Sequence, residues 1–393
     1  MKRNEGELMS QSVKINYYDT FKCIADQCSL TCCQEWRIAV DDTTKKKWVG
    51  KQIQDDEIQK EVVLCNCLKD DEGSSIIKLN KEKKCPFLNQ EKLCKLVIGL
   101  GEEFLSHTCA TFPRQKKEFE GRTEHSLSSC CPVVVDLMRE MEPQLSEAKP
   151  VLANLEEVLA YEVRELMLTL MKDETYTLPE RMLMIFYSVL ELLETKKLTV
   201  EKIQAAGSQK QLQPLINAIR KMPFSSIDAL LESNELFLDV VENYRKQGLY
   251  VGYLESIAQK AEDLEADYEE DELLKKQATF ENMLEEYQQL LKHYILAEII
   301  GNGLMPESTL EDMVVAFEWI VMEYAVMKQA LFLKWLEQGE KPLAYEIVRD
   351  YITVIARVTG YESDDIYEYL ENSFEDVIWE WGYMAMVLGN GKL

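Results

Sequence analysis

The last two thirds of this chain contain no cysteine. All eleven cysteines of the 393-residue sequence lie between Cys23 and Cys131, and none follows Cys131. A chain of this length can bury a hydrophobic core without covalent cross-links. Cysteines confined to one third of the sequence therefore indicate a local role, which is either a metal or cluster site or a disulfide knot.

The chain also lacks an uncharged segment long enough to span a bilayer. Its most apolar stretch, residues 313–336, is interrupted by four charged side chains, whereas a membrane span needs about 18 apolar residues. The N-terminal basic residues are not followed by an apolar segment, so no secretory signal is predicted. We expect a cytoplasmic protein with no membrane partner, and because thiols stay reduced there, we expect metal ligands rather than disulfides.

Nucleotide-binding and zinc-protease motifs are missing as well. Gly-x-Gly occurs at 99–101, 301–303 and 389–391, but none follows a predicted buried strand and opens a helix, and there is no P-loop. A Rossmann-type methyltransferase core is therefore disfavoured. The three histidines are not at zincin spacing. His107 lies two residues before Cys109 and either reaches a metal centre or is a partly exposed helix residue.

Positive charge is scarce in the C-terminal part. Residues 1–131 contain 21 basic and 21 acidic side chains, so the whole formal net charge of −26 belongs to the remainder. This acidic surface repels phosphate backbones, and no nucleic-acid partner is expected. It either steers a lysine-bearing protein substrate towards the molecule or simply keeps the protein in solution.

The cysteine spacing is suited to thiolate ligands. The first block is Cys23-x4-Cys28-x3-Cys32-Cys33-x2-Trp36, and a loop of this spacing can direct several sulfurs at one point, as zinc or a [4Fe–4S] cluster requires. It differs from the paired CxxC motifs of zinc ribbons and from CxxxCxxC, because Glu35 stands three residues after Cys32. Later, Pro132 predicts the start of a helix, whose N-terminus is expected to favour ionised Cys130 and Cys131.

The remaining sequence predicts a mainly α protein. Trp36 to Val40 and Ser75 to Leu79 are interpreted as short strands, residues 41–63 have helical tendency, and residues 118–127 suggest a hairpin around Gly121. After about residue 133, apolar residues recur at helical spacing, and Ser308 with Glu311 predicts a capping box. We predict a cysteine-rich metal or iron–sulfur module with short strands over residues 1–138 and an acidic α-helical domain over residues 139–393.

Four blocks of the N-terminal third have a distinctive order and spacing. The blocks are Phe21 through Trp36, Cys85-Pro-Phe-Leu88-x5-Cys94, Gly101-Glu102 through Cys109-x3-Pro113-Arg114, and Ser129-Cys130 to Pro132. Together they resemble the flagellin lysine-N-methylase (FliB-like) family. The resemblance is dense over residues 17–136, and beyond them it is limited to a general helical pattern. Two features depart from the family pattern, namely the extra Cys65-x-Cys67 and the insertion of Cys131 before Pro132, which leaves open which of Cys130 and Cys131 is a ligand.

The resemblance implies an iron–sulfur protein that transfers a methyl group from S-adenosylmethionine to lysine side chains of flagellin. We expect Arg114 and Trp36 to contact the cofactor, since a guanidinium can bind a carboxylate with two hydrogen bonds; for Arg114 a local salt bridge is the alternative. No general base is nominated. The expected metal ligands are Cys23, Cys28, Cys32, Cys33, Cys85, Cys94, Cys109, Cys130 and Cys131.

Two other functions are compatible with the cysteine pattern. The first is a non-catalytic interaction protein in which zinc or iron only stabilises the module. The second is an iron–sulfur redox or metal-delivery protein. Methyl transfer to a lysine-bearing protein distinguishes the enzyme from both, and a redox-active chromophore distinguishes the second from the first.

Overall fold

The computed structural model describes residues 11–55, 59–71, 73–146, 154–221, 226–360, 363–374 and 376–389. Its fold is mainly helical, with short strands in the N-terminal region, as predicted from the sequence. None of the helices in these ranges is both long and apolar enough to cross a bilayer.

All strands of the described chain precede its long helices. The strands are β1 Gln11–Lys14, β2 Gln52–Asp55, β3 Lys60–Val63, β4 Leu68–Asp71, β5 Ser74–Ile77, β6 Arg114–Glu118 and β7 Arg122–Leu127. Strands β1, β7 and β6 form one sheet in that order, with β1 parallel and β6 antiparallel to the central β7. The other strands form two antiparallel hairpins, β2–β3 and β4–β5.

The helices begin within the cysteine-rich region and continue to the end of the described chain. Short 3-10 helices lie at Tyr18–Thr20, Ala25–Gln27, Leu64–Cys67, Glu102–Phe104 and Glu285–Tyr287. The α-helices are α1 Asp42–Trp48, α2 Lys95–Leu100, α3 His107–Thr111, α4 Pro132–Glu140, α5 Leu155–Met171, α6 Leu178–Leu193, α7 Val200–Ala206, α8 Gln209–Ile219, α9 Ser226–Gln247, α10 Val251–Glu262, α11 Leu264–Asp267, α12 Glu270–Leu284, α13 Gln288–Gly301, α14 Leu310–Glu337, α15 Tyr345–Val358, α16 Ser363–Ser373 and α17 Trp381–Leu388.

Local signals identified several element boundaries correctly and missed others. Pro132 opens α4, and the hairpin around Gly121 is formed by β6 and β7. The capping box of α14 uses Thr309 and Asp312, so the prediction of Ser308 and Glu311 was wrong by one residue. Thr309 Oγ1 accepts a bond from the Asp312 backbone N–H, and the Asp312 carboxylate accepts one from the Thr309 N–H, which stabilises the first turn.

Two secondary-structure predictions for the cysteine-rich region were wrong. Residues 36–40 contain a single bridge, Ala39 to Ile76, rather than a strand, although Ile38 and Val40 are buried as their alternation suggests. The helical tendency of residues 41–63 ends with α1, and β2 and β3 follow. Such short elements depend on tertiary pairing, because three or four residues carry little periodic signal.

The helical core is organised around α13 and α14. Helix α14 packs against α6, α9, α10, α13 and α15, while α13 also contacts α4 and α5. Both helices are apolar on nearly every face because neighbours surround them. Residues of the N-terminal region join this core, among them Ile15, Tyr17, Phe21 and Leu127.

A second, smaller core lies under the cysteine-rich loops. Trp48 is fully buried at its centre, packs edge-on against Phe87 at 5.5 Å between ring centroids and donates its indole N–H to the Phe104 carbonyl at 2.8 Å. Cys67 and Cys85 are members of this core. The domain boundary predicted between residues 138 and 139 stays a prediction. The apolar residues around Trp48 form a core of their own, whereas Leu127 on β7 belongs to the core of the long helices.

A buried ionic cluster joins the three-stranded sheet to the helices. Glu124 on β7 accepts two hydrogen bonds of 2.7 Å from Arg164 on α5 and forms ion pairs with Arg122 and Lys117. Lys117 Nζ donates to the carbonyls of Ile300 at 2.8 Å and Leu304 at 3.0 Å, at the end of α13. All four charged side chains are nearly inaccessible to solvent, so Glu124 is the anion that makes the burial of the cations tolerable.

We expect Glu124→Gln to lower the free energy of unfolding by about 3 to 5 kcal/mol, because it leaves buried cations without an anion. Urea denaturation followed by circular dichroism measures the change. Glu242→Gln is the matched control, since Glu242 pairs with Lys246 on an exposed surface and its loss should cost less than about 1 kcal/mol. Equal effects of the two substitutions would contradict this account.

Candidate active site

A cleft of about 840 Å³ lies between the cysteine-rich region and the helical core. It is lined by side chains from β6, α3, α13, α14, α15 and α16 and by the loops that carry Trp36 and Cys130. Four carboxyl side chains and one arginine belong to its described lining, together with several aromatic rings. A concave site with an apolar wall and a few convergent polar groups is the expected location for a ligand.

Trp36 and Arg114, the two predicted cofactor-binding residues, both lie in this cleft. The Trp36 ring packs edge-on against Phe112 with 4.6 Å between centroids. Arg114 stands at the start of β6, is exposed, and places its guanidinium 5.0 Å from the centroid of Phe21. These ring contacts hold both side chains at the wall of the cleft.

All eleven cysteines are free thiols in the structure, and ten of them form two neighbouring groups. Within each group, charge on one thiol shifts the pKa of another. Because charge–charge effects weaken with distance, we infer that these thiols are near one another. The first group, on the loop of residues 23–33 and at the start of α4, is Cys23, Cys28, Cys32, Cys33 and Cys131. The second group, around the smaller core, is Cys65, Cys67, Cys85, Cys94 and Cys109.

The first group joins the start of α4 to the N-terminal loop. The pKa of Cys131 is raised to about 12, chiefly by burial and to a smaller extent by negative charge on Cys28 and Cys32. Burial likewise raises the pKa of Cys28, as do Cys32 and Cys23. The pKa of Cys32 lies well above its usual value; the largest cause is a hydrogen bond with Cys33, and burial is the second. Thiols distant in sequence are therefore neighbours in space.

The second group is connected to the first through Cys109. The pKa of Cys85 is raised to about 12, chiefly by burial and to a smaller extent by charge on Cys109, Cys94 and Cys67. The pKa of Cys109 is raised to about 11, first by burial and then by charge on Cys32 and Cys94. Cys67 of the extra Cys65-x-Cys67 motif thus lies beside the predicted ligands of this group.

Cys130 stands apart from both groups and faces the cleft. Its thiol donates to the Ala356 carbonyl at 3.3 Å. Its pKa is raised to about 12, chiefly by burial, and the charges that contribute to the rise are those of Glu298 and Glu323 rather than those of other thiols. Cys130 lies in the turn that precedes α4, whereas Cys131 is the N-cap residue of that helix, and the two side chains have different neighbours.

That Cys130 and Cys131 are ionised ligands stays a prediction, because burial by itself raises the pKa of both thiols. Backbone N–H groups of Val133 and Val134 do lower the pKa of Cys131, but burial outweighs them. Cys130 is also deeply buried, so the same loss of hydration dominates. Metal binding would reverse this balance, since a coordinated thiol is deprotonated.

The thiol groups suit a metal or cluster in their chemistry. Cysteine sulfurs are the ligands of iron–sulfur clusters and of structural zinc. Within the described ranges, however, no three Cys, His, Asp or Glu side chains converge closely enough to hold a metal ion. The two groups are neighbourhoods of thiols rather than closed ligand sets, and binding would require side-chain rotation with proton release.

Arg357 on α15 fixes the loop of the first thiol group against the helices. Its guanidinium donates to the carbonyls of Cys130 at 2.9 Å, Leu30 at 2.9 Å and Thr31 at 3.4 Å, and lies 5.1 Å from the centroid of Trp36. The side chain is buried. One residue thereby positions the Cys28–Cys33 loop, the residue before Cys131 and one wall of the cleft.

Two buried glutamates, which the sequence analysis did not nominate, also line the cleft. Glu298 on α13 accepts bonds from Ser129 Oγ and, at 2.5 Å, from Asn302 Nδ2. Glu323 on α14 accepts bonds from Tyr294 OH at 2.9 Å and Thr359 Oγ1 at 2.6 Å. Burial raises the pKa of both carboxyls, and the charge of Glu298 raises that of Glu323 further. The sequence feature that could have identified these two residues is an acidic side chain within an otherwise apolar helical stretch.

The histidines occupy different positions. His107 lines the cleft with an exposed ring on α3, as expected for a partly exposed helix residue. His125 is half-buried in β7, with its ring 5.4 Å from that of Tyr18. His293 is buried in α13, with Nδ1 2.6 Å from the Met138 carbonyl oxygen.

Comparisons with known proteins agree with the resemblance noted in the sequence. The family model described as FliB lysine N-methylase C-terminal domain matches residues 164–387. The flagellar biosynthetic protein FliU of Salmonella muenchen is 35% identical over 118 residues, which cover 29% of this chain and 68% of that protein. Lysine-N-methylases of Salmonella typhimurium and Salmonella choleraesuis are each 34% identical over 119 residues.

The match to those two lysine-N-methylases covers 29% of this chain and 29% of each relative. Their matched region is therefore less than a third of their length. No solved structure gives a significant match to this chain.

Proposed function

This chain belongs to the FliB lysine N-methylase family, and we propose that it transfers methyl groups from S-adenosylmethionine to lysine side chains of a protein substrate, with flagellin as the substrate class. The observation that carries the proposal is the cleft in which an arginine, aromatic rings and two buried carboxyls meet beside the cysteine-rich region. The family match includes the helices that supply those carboxyls.

The two ends of the reaction place different demands on the cleft. The methyl donor carries a carboxylate, for which Arg114 offers a guanidinium at the exposed end of β6. The aromatic wall at Trp36 suits the apolar and cationic parts of a sulfonium cofactor. The acceptor lysine must lose its proton before its nitrogen attacks a methyl group, which calls for a desolvated pocket or a nearby base.

Some of the predicted ligands in the two thiol groups would hold an iron–sulfur cluster, which is bound by about four thiolates; the roles of Cys65 and Cys67 are not assigned. When bound, such a cluster would supply iron chemistry that holds or activates S-adenosylmethionine beside the cleft. Arg357 would keep the Cys28–Cys33 loop and Cys131 at fixed positions beside the cleft, because it binds the backbone on both sides. Zinc is the alternative metal for the same thiols, and its binding would assign these residues a structural role.

Flagellin is proposed as substrate because one relative is called a flagellar biosynthetic protein. A cytoplasmic location is proposed because such a substrate would be modified before export and because the thiols are unpaired. The acidic C-terminal part would draw a lysine-bearing surface towards the cleft through long-range attraction.

The test is a methyl-transfer assay with anaerobically purified, iron- and sulfide-reconstituted protein. With methyl-labelled S-adenosylmethionine, label should enter flagellin, and mass spectrometry should place whole methyl groups on lysines. Flagellin whose lysines have been acetylated is the control and should take up no label. A folded, reconstituted protein that leaves unmodified flagellin unlabelled would contradict the proposal. Tightly bound zinc in place of iron would favour a metal-binding interaction protein.

A further inference from the structure

Glu298 and Glu323 are buried carboxyl groups whose hydrogen-bond partners are all neutral. Their exposed fractions are 7% and 6%. Glu298 accepts hydrogen bonds from the side chains of Ser129 and Asn302. Glu323 accepts hydrogen bonds from the side chains of Tyr294 and Thr359. Among the residues the structure describes, neither glutamate forms a salt bridge with a lysine, arginine or histidine, in contrast to Glu124.

Burying two carboxyl groups without a cation lowers the stability of the folded protein. Burying a carboxyl group requires hydrogen bonds and, when it is ionised, a compensating cation. The neutral donors fix the orientation of both carboxyls but supply no compensating charge. The buried Tyr17 hydroxyl has no hydrogen-bond partner among the described residues, and its pKa is raised first by burial and then by the charge of Glu298. The region is thus rich in oriented polar groups and short of positive charge.

The surroundings indicate what kind of cation would fit. The cleft is lined by Glu298, Glu323, Asp312 and Asp364, with Arg114 as its one described arginine. Trp319, on the same helix as Glu323, presents an apolar wall, and its indole N–H donates to the Thr359 carbonyl at 2.9 Å. An elongated apolar chain ending in a cation matches an aromatic wall that leads to two carboxyls.

We propose that Glu298 and Glu323 form the subsite that binds the ε-ammonium group of the acceptor lysine, with Trp319 beside its methylene chain. This inference rests on the proposed function, which supplies the lysine. The ammonium group offers three donors, and the carboxyls retain acceptor capacity beyond the bonds they already accept. The subsite makes the cleft selective for a primary amine rather than for a neutral side chain of similar length.

Binding can be measured without methyl transfer. The probes are two fluorescent peptides copied from a flagellin segment, one with a single central lysine and one with norleucine, a neutral side chain of similar length, at that position. Fluorescence anisotropy with the full-length, reconstituted protein should show at least about 10-fold tighter binding of the lysine peptide, the discrimination expected of charge-assisted hydrogen bonds.

Variants that remove one carboxylate charge then show which residues cause the preference for the lysine peptide. Glu298→Gln and Glu323→Gln should each reduce the preference for lysine to about 3-fold or less. Glu318→Gln is the matched control: Glu318 is buried on the same helix as Glu323, accepts a bond from the Trp379 backbone N–H at 3.1 Å, and lies outside the cleft. The control should keep the full preference. Thermal unfolding of each variant confirms that it folds.

The outcomes separate this inference from the proposed function. Equal binding of both peptides by the wild-type protein would overturn the subsite, even if a variant fails to fold. Methyl transfer to flagellin together with preserved lysine preference in both glutamine variants would also overturn it and leave the proposed function intact. Loss of the preference in both variants supports the subsite, and it does so whether or not methyl transfer is detected.

Discussion

A Cys131→Ser variant, purified anaerobically and reconstituted with iron and sulfide, is expected to retain no more than about a tenth of the iron bound by the wild-type protein. Loss of one thiolate removes a sulfur–iron bond, and even changes to groups that only support a ligand lower metal affinity by about 10- to 100-fold. The adjacent Cys130→Ser variant should retain most of its iron.

The different expectations for adjacent residues come from their surroundings. Charge on Cys28 and Cys32 raises the pKa of Cys131 beyond the effect of burial, so these three thiols are close to one another. Cys130 instead contacts the Ala356 carbonyl and is affected by Glu298 and Glu323. Cys131 is therefore the residue of the pair that we propose as a ligand.

Iron and acid-labile sulfide are measured per protein, together with the visible absorption spectrum before and after dithionite. Circular dichroism and the free energy of unfolding of the metal-free variants check that both serine substitutions fold. Iron loss in Cys130→Ser with full retention in Cys131→Ser would assign the ligand to Cys130. Full retention in both variants would remove this pair from the ligand set.

Arg357→Ala is expected to lower the free energy of unfolding by about 3 to 5 kcal/mol. The substitution leaves three backbone carbonyls without their charged donor and removes the guanidinium from the face of Trp36. Each hydrogen bond to a charged group contributes about 1.5 to 3 kcal/mol, part of which relaxation of the loop will recover. Arg357→Lys should restore only part of the loss, because an ammonium cannot reproduce the planar fork of donors.

Urea denaturation measures this stability, and iron content provides a second reading. Because Arg357 binds the carbonyls of Leu30 and Cys130, its loss should loosen the first thiol group and reduce reconstituted iron. Arg37→Ala is the matched control, since Arg37 pairs with Asp71 at the surface of the same region and should contribute less than about 1 kcal/mol. A small effect at Arg357 would show that the loop is held by other contacts.

The long helices were predictable because apolar residues recur at helical spacing along the sequence. The helical spacing of apolar residues after about residue 133 predicted an α-helical domain, and α6 and α14 are two of the helices that form there. Pro132 and the turn at Gly121 were also interpreted correctly, since each acts within a few residues. Short elements such as β2 and β3 were missed because polar hairpins without periodic apolar residues give no comparable signal.

The cleft was only partly predictable. Trp36, Arg114 and Cys130 were all nominated, and the structure places them in the lining of one cavity. Glu298 and Glu323 were not nominated, because an acidic residue within a helix is usually on a solvated face. Their burial depends on how α13 and α14 pack against α15 and the cysteine-rich loops, and no local pattern encodes that packing.

The order of residues by itself determined the helical class of the long C-terminal part, the confinement of thiol chemistry to residues 23–131 and the family resemblance, because propensity, periodicity and motif spacing are local properties. Tertiary structure alone decided that Cys131 joins Cys28 and Cys32 while Cys130 faces two glutamates, and that Arg357 holds them together. Those relations join residues from about one hundred to more than three hundred positions apart, and only packing of the folded chain brings them together.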